Sequence, residues 1–322
     1  MRKFTFAIGL GSILASLAGS AAQPYPDHPI KFVIPYPPGG ATDTVARIIA
    51  STLSTSWKQA VVLENHSGGG GIVGNEMVAK AAPDGHTVLF AIAQLIQAPA
   101  LNIKVPYDVF KDFVPVSQCV VVPNLFVVSA LTATNSLHEF VDAAKKVGVG
   151  KLSYGSYGVG TSSHIFGELL KRTAGIDLVH VPYKGAAPLL NDVVAAHVDS
   201  AIVDMTTSLS QVQAGAVKAF ALTGQVRSKL LANVPTFAEL GYQGFEPLGW
   251  IATFVPAGTA DAIVKRLSEE IGRILRLPYV TARLNQLGAE VVGNTPAEFA
   301  AILKADYRRW EKLIDEANIK QE

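Results

Sequence analysis

A single cysteine, Cys119, stands in 322 residues, so no internal disulfide can form, and no cysteine lies near the N-terminus to carry a lipid. Charge is scarce as well: 27 Lys and Arg face 26 Asp and Glu, and charged residues make up only 16% of the chain. A chain so balanced lacks the basic surplus that polyanions demand, and nucleic acid is not an expected partner. The seven histidines include no H-E-x-x-H pair, so no metal is expected. Long apolar runs are also missing, apart from residues 4–18. That run follows Met1-Arg2-Lys3, precedes the small residues Gly19-Ser20-Ala21-Ala22, and is shorter than the roughly 20 residues a membrane span needs. It reads as a secretory leader over residues 1–22, cleaved near Ala22. Without Arg2 and Lys3 the chain keeps 25 basic residues against 26 acidic. The leader has no twin-arginine pair, which favours export unfolded and without a preloaded cofactor. The expected location is the periplasm, with the chain soluble there.

What the sequence does contain is apolar and alternating. Hydrophobic residues are 49% of the chain, as suits an α/β protein with buried sheets. Short β-branched runs alternate with helical patterns: Ile30 to Ile34, Thr44 to Trp57, Ala60 to Leu63, Ile72 to Ala81 and Thr87 to Ile92. The order implies βαβ units on a parallel sheet. In the first helix Val45, Ile48, Ile49 and Leu53 share a face. A second series runs from Leu125 to Val203, through patterns at 136–146, 152–154, 163–173, 178–181 and 186–196. Ser136 with Glu139, Thr236 with Glu239, and Thr295 with Glu298 match capping boxes. The last opens a long amphipathic helix, to about Ile319, with Phe299, Ile302, Tyr307, Trp310 and Ile314 near one stripe. About 300 mature residues exceed what one core usually organises, so two lobes are expected.

Two glycine-rich turns stand between a strand and a helix, where backbone amides and the helix dipole favour an anion. The first is Pro35-Tyr36-Pro37-Pro38-Gly39-Gly40-Ala41-Thr42-Asp43, which lacks the lysine and hydroxyl of a Walker loop. The second is Gly155-Ser156-Tyr157-Gly158-Val159-Gly160-Thr161-Ser162-Ser163-His164. One such loop per lobe could grip a small anion from both sides, each charge-assisted bond contributing roughly 1.5–3 kcal/mol. Gly69 to Gly74 matches G-x-G-x-x-G, but the strand after it ends without an acidic residue for a ribose. It reads as a tight loop bordering the cleft, and a nucleotide-binding enzyme is the weaker alternative. An exported serine hydrolase is the other rival, suggested by Ser162, Ser163, His164 and Asp204. No G-x-S-x-G elbow surrounds either serine, and neighbours on a helix point apart, so Ser163 and His164 do not pair as nucleophile and base. Asp204 ends the strand Ser200 to Val203, where it either faces a ligand or caps the helix opening at Met205.

The strings PYPPGGATD, VLENHSGGGGIVGNEMVAKAAPDGHTVLF, VPYD, DFVPV, SYGSYGVGTSSH, VPYKGAAPLLNDVVAAHVD, NVPTFAELG and VPAGT together resemble the receptors of tripartite tricarboxylate transporters, the Bug-type periplasmic binding proteins. The resemblance runs from about Pro29 to Lys320. It implies a type II periplasmic-binding fold, two α/β lobes around a ligand cleft, with lobe one at 23–124 plus 247–322 and lobe two at 125–246. It further implies a non-enzymatic monomer that needs no cofactor, binds a mono-, di- or tricarboxylate, and serves a membrane permease or, in a signalling variant, a sensor kinase. Transferred to this chain, the ligand residues are Tyr36, Gly40, Ala41, Thr42 and Asp43 on one side and Ser156, Thr161, Ser162 and His164 on the other. Gln94 and Asp204 are expected at strand ends facing the same cleft. The chain departs from the family pattern at His66-Ser67, at Ser153 and at Ala196-His197, where a glycine-containing turn is usual.

Overall fold

Strand follows helix through most of the chain, and the computed structural model describes residues 25–246 and 248–320. The leader expected at 1–22 lies outside the described residues. The first series is β1 (Ile30–Ile34), α1 (Ala41–Trp57), β2 (Val61–Asn65), α2 (Ile72–Ala79), β3 (Thr87–Ile92), α3 (Gln94–Ala100) and β4 (Phe113–Val122). The second is β5 (Asn124–Ser129), α4 (Leu137–Val147), β6 (Ser153–Ser156), α5 (Ser162–Ala174), β7 (Val179–Pro182), α6 (Ala186–Val194), β8 (Ser200–Asp204), α7 (Met205–Gln213) and β9 (Val217–Leu222). The chain closes with β10 (Gly249–Pro256), α8 (Asp261–Leu275), α9 (Pro278–Gln286), β11 (Glu290–Val291) and α10 (Pro296–Glu316).

These strands form two sheets, ordered β11-β4-β10-β3-β1-β2 and β7-β6-β8-β5-β9. The βαβ segments are parallel, with β1 beside β2 and β3, and β6 beside β7 and β8. The sheets as wholes are mixed, however. β10 runs antiparallel to β3 and β4, and β5 antiparallel to β8 and β9. The chain passes from β4 to β5 through Pro123 alone and returns by β10, so these strands have no helical crossover to hold them parallel.

Side-chain chemistry explains the element ends. α1 starts three residues earlier than the apolar periodicity suggests, because Gly40, extended at φ −81° and ψ 174°, serves as its N-cap. Thr295 and Glu298 form a full capping box at α10, which buries Phe299, Leu303, Trp310 and Ile314. At α4 the Ser136 hydroxyl accepts from the Glu139 amide, but the Glu139 carboxylate turns back to Asn135 instead of Ser136. Thr236 and Glu239 do bond reciprocally (2.9 and 3.1 Å). Yet only one turn follows, because Gly241 at φ +87° ends it. Helix α10 packs on β4 and α3, and its Trp310 reaches Phe166 of α5 at 5.4 Å between ring centres.

Candidate functional site

The C-terminal ends of β1 and β3 face the second sheet across a cavity of about 50 Å³, on a scale where one water needs roughly 10–15 Å³. At α1 the cap residue Gly40 has no side chain, so no side-chain cap satisfies the first-turn amides. Of these amides, that of Ala41 donates to the Thr207 hydroxyl in the first turn of α7 (3.1 Å). Helix α6 repeats the pattern. Its N-cap is Gly185, again with no side-chain cap, and a Cβ there would lie 2.6 Å from Pro37 Cδ on the opposite side. Helix starts are electropositive and short of acceptors, and Gly40, Ala41, Thr42, Gly185 and Ala186 all line the cavity.

Of the residues expected at the site, Tyr36, Gly40, Ala41, Thr42, Ser162 and Asp204 line the cavity. The Ser162 hydroxyl accepts from Gln97 Nε2 (2.7 Å), a bond that joins α5 to α3. Five others are engaged behind the wall. Asp43 pairs with Arg47 (2.8 Å) and accepts from the Gly39 amide and from Asn65. Burial alone would raise its pKa, but Arg47, the Gly39 amide and Asn65 outweigh that and hold the carboxyl below its usual range. Gln94, which opens α3 and does not end a strand, accepts from Asn75 (3.2 Å). Ser156 bonds His180 (2.7 Å), and Thr161 caps α5 while donating to the Gly158 carbonyl (2.6 Å). His164 Nδ1 accepts from the Gly160 amide (3.3 Å), and its ring stacks on His180. The Ser163 hydroxyl donates to the Ile202 carbonyl, inside the core.

Asp204 caps a helix and lines the cavity at once. Its carboxylate caps α7, accepting from the Thr207 amide (2.7 Å) and hydroxyl (2.9 Å), and it also lines the cavity. Burial pushes its pKa up, against the opposing pull of the Thr207 bonds. Across from it the Tyr157 hydroxyl donates to Asn124 Oδ1 (3.1 Å), its own pKa raised by burial and then by the Asp204 charge. Among the described residues no lysine, arginine or histidine lines the cavity, and Ile92, Val122, Trp250 and Ile251 supply an apolar wall.

Asn124, Tyr157, Gly185, Ala186 and Trp250 were missing from the expected set. Gly185 had a readable signal, since it stands between a strand and a helix as Gly40 does. Tyr157 lay inside the second glycine-rich turn. Asn124 and Trp250 carry no local signal, because the strands that pass between the sheets bring them to the cavity.

A sequence model described as the tripartite tricarboxylate transporter family receptor matches residues 45–319. A protein of Pseudomonas sp. (strain P51), the UPF0065 protein in the tcbD-tcbE intergenic region, is 39% identical over 316 residues, covering 98% of this chain and 94% of the relative. Protein BugT of Bordetella pertussis is 32% identical, covering 99% of both chains. Two solved structures superpose closely. Rpa4515 of R. palustris with adipate has a TM-score of 0.88 at 32% identity, covering 92% of this chain and 99% of that one. MatC of Rhodopseudomonas palustris with bound malate has a TM-score of 0.86 at 31% identity, covering 90% and 100%. No described helix is long and apolar enough to cross a membrane.

Proposed function

The chain belongs to the tripartite tricarboxylate transporter receptor family, and from that premise we propose that it captures a small organic carboxylate between its two lobes. The lobes are assigned to 23–124 plus 247–322 and to 125–246. In this reading it works in the periplasm after loss of its leader, as a monomer without catalysis, and hands its ligand to a membrane permease. One observation carries the proposal: two helix starts without side-chain caps, α1 and α6, converge on one cavity from the two sheets. A carboxylate fits them because it offers acceptors to first-turn amides that have no N-cap side chain and negative charge to two helix dipoles. The adipate and malate held by the two Rhodopseudomonas relatives are of that chemical class.

The ligand would act as the link between the lobes. Only a molecule that touches both helix starts binds the closed form better than an open one, so it shifts the population towards closure. A permease can then recognise loading by shape. The proposal is tested at Gly40, whose added Cβ would meet no atom within 4 Å and whose φ of −81° suits any residue. Gly40→Val should keep the melting temperature of the ligand-free protein nearly unchanged while cutting carboxylate affinity at least about tenfold, some 1.4 kcal/mol. Undiminished affinity in titration calorimetry would place the carboxylate elsewhere.

A further inference from the structure

A second cluster lies at the opposite end of the first sheet. Strands β1 and β3 run parallel with Lys31 opposite Thr87, so Asp27 and His28, which precede β1, sit beside Asp84 and His86, which precede β3. The cleft opens at the other ends of these strands, at Tyr36, Ile92 and Ala93. Asp27 Oδ1 is 2.7 Å from His28 Nδ1 and 3.2 Å from His86 Nε2. Ligand atoms of these three residues all fall within 4.8 Å of one another. His86 is only 7% exposed, yet neither of its ring nitrogens makes a hydrogen bond. The carboxylate contact of Nε2 to Asp27 is thus off the hydrogen-bonding direction, which leaves this buried imidazole short of a well-aligned partner.

We propose that Asp27, His28 and His86 form a binding site for a zinc-like divalent cation, separate from the cleft. Two imidazoles and one carboxylate are a donor set that suits zinc, with water in the fourth position. Tetrahedral arms of about 2.0–2.1 Å place ligand atoms about 3.3 Å apart, and the Asp27 to His86 separation is already 3.2 Å. His28 has to move, because its ring now stacks on His86 at 3.5 Å between centres and 15° between planes. Parallel rings cannot both aim in-plane lone pairs at one ion. The His28 side chain is 55% exposed, so it can turn without disturbing the core. Behind His86, Asp84 Oδ1 lies 3.6 Å from Nδ1, so a small shift would give the carboxylate backing that fixes tautomer and orientation in metal sites.

The experiment is calorimetric titration of zinc chloride into the chelator-treated mature protein at neutral pH. The expected result is one zinc per chain, with affinity falling as pH drops through the imidazole range. His28→Ala should weaken binding at least about tenfold. His197→Ala, which alters the exposed His197–Asp192 pair, should leave it unchanged. If His28→Ala lowers the melting temperature in chelator, Asp27→Asn makes the same comparison. Absence of saturable uptake, or equal affinity in the wild type and the His28 or Asp27 variant, overturns the proposal.

Discussion

Asp204 holds two jobs in one carboxyl group, and the two can be pulled apart. As a helix cap it needs only an acceptor, and Asn serves there about as well as Asp. As part of the cavity wall it brings negative charge beside the proposed ligand. Its pKa is raised by burial, so the folded chain holds this proton more tightly than the unfolded chain does. The stability linked to that shift is fully present below the ordinary carboxyl pKa and is lost as pH rises through the raised value. Asp204→Asn should therefore flatten the decline of ligand-free stability with rising pH, as followed by thermal melts across the carboxyl range. In the same variant, acids with two or three carboxylates should gain affinity relative to monocarboxylates, since a repulsive partner has gone. A uniform change with the ligand ranking intact would leave Asp204 as a cap alone. Several other residues show why a polar side chain in a glycine-rich turn is hard to assign from sequence. Ser156, Thr161 and His164 resemble ligand donors, and each also bonds within the chain, to His180, Gly158 and Gly160. The partner of Ser156 lies a strand away, beyond the reach of local pattern.

At the scale of elements, chain order was legible and strand direction was not. A continuous apolar run locates β3 and β8 to within a residue, because their central residues are buried on both faces. Nothing in an apolar run says whether it lies parallel or antiparallel to its neighbour, so the reversed β5 and β10 emerge only in the fold. The helix starts of α1 and α5 were legible as glycine or hydroxyl turns, whereas the turn at Gly185 before α6 was readable by the same signal but missing from the expected set. One helix end is imperfect. Ala196 follows α6 at φ +57°, and the His197 amide bonds back to the Asp192 carbonyl (2.8 Å). That is a Schellman-type ending with alanine where glycine is the usual residue. A left-handed alanine costs about 1–2 kcal/mol, partly offset by the extra chain freedom of glycine in the unfolded state. Ala196→Gly should thus raise stability by about 0.5–1 kcal/mol, measured by denaturant midpoint at unchanged slope, with carboxylate binding unaltered. An equal or lower midpoint would mean that the turn is unstrained.

For the whole molecule, contacts between helices and loops of the two series close over the cavity. Ala41 bonds Thr207 and Gln97 bonds Ser162 across it. Gly70 lies so near Val159 that an added Cβ would sit 2.7 Å from the Val159 carbonyl oxygen. The glycine run that resembles a dinucleotide fingerprint thus serves a close approach of backbones at the cleft border. Under the proposed function, two lobes, a small cavity and two helix starts without side-chain caps serve as a trap for one anion, and the central claim is that the anion is a carboxylate. The most direct test is a thermal-shift panel of the mature protein against mono-, di- and tricarboxylates, with sugars and neutral amides of similar size as controls. A true ligand at a hundred times its dissociation constant adds about 2.7 kcal/mol of stability. The account predicts a shift of that order for at least one carboxylate, absent for its neutral amide and lost in Gly40→Val. Shifts from sugars or amides with none from any carboxylate would contradict it.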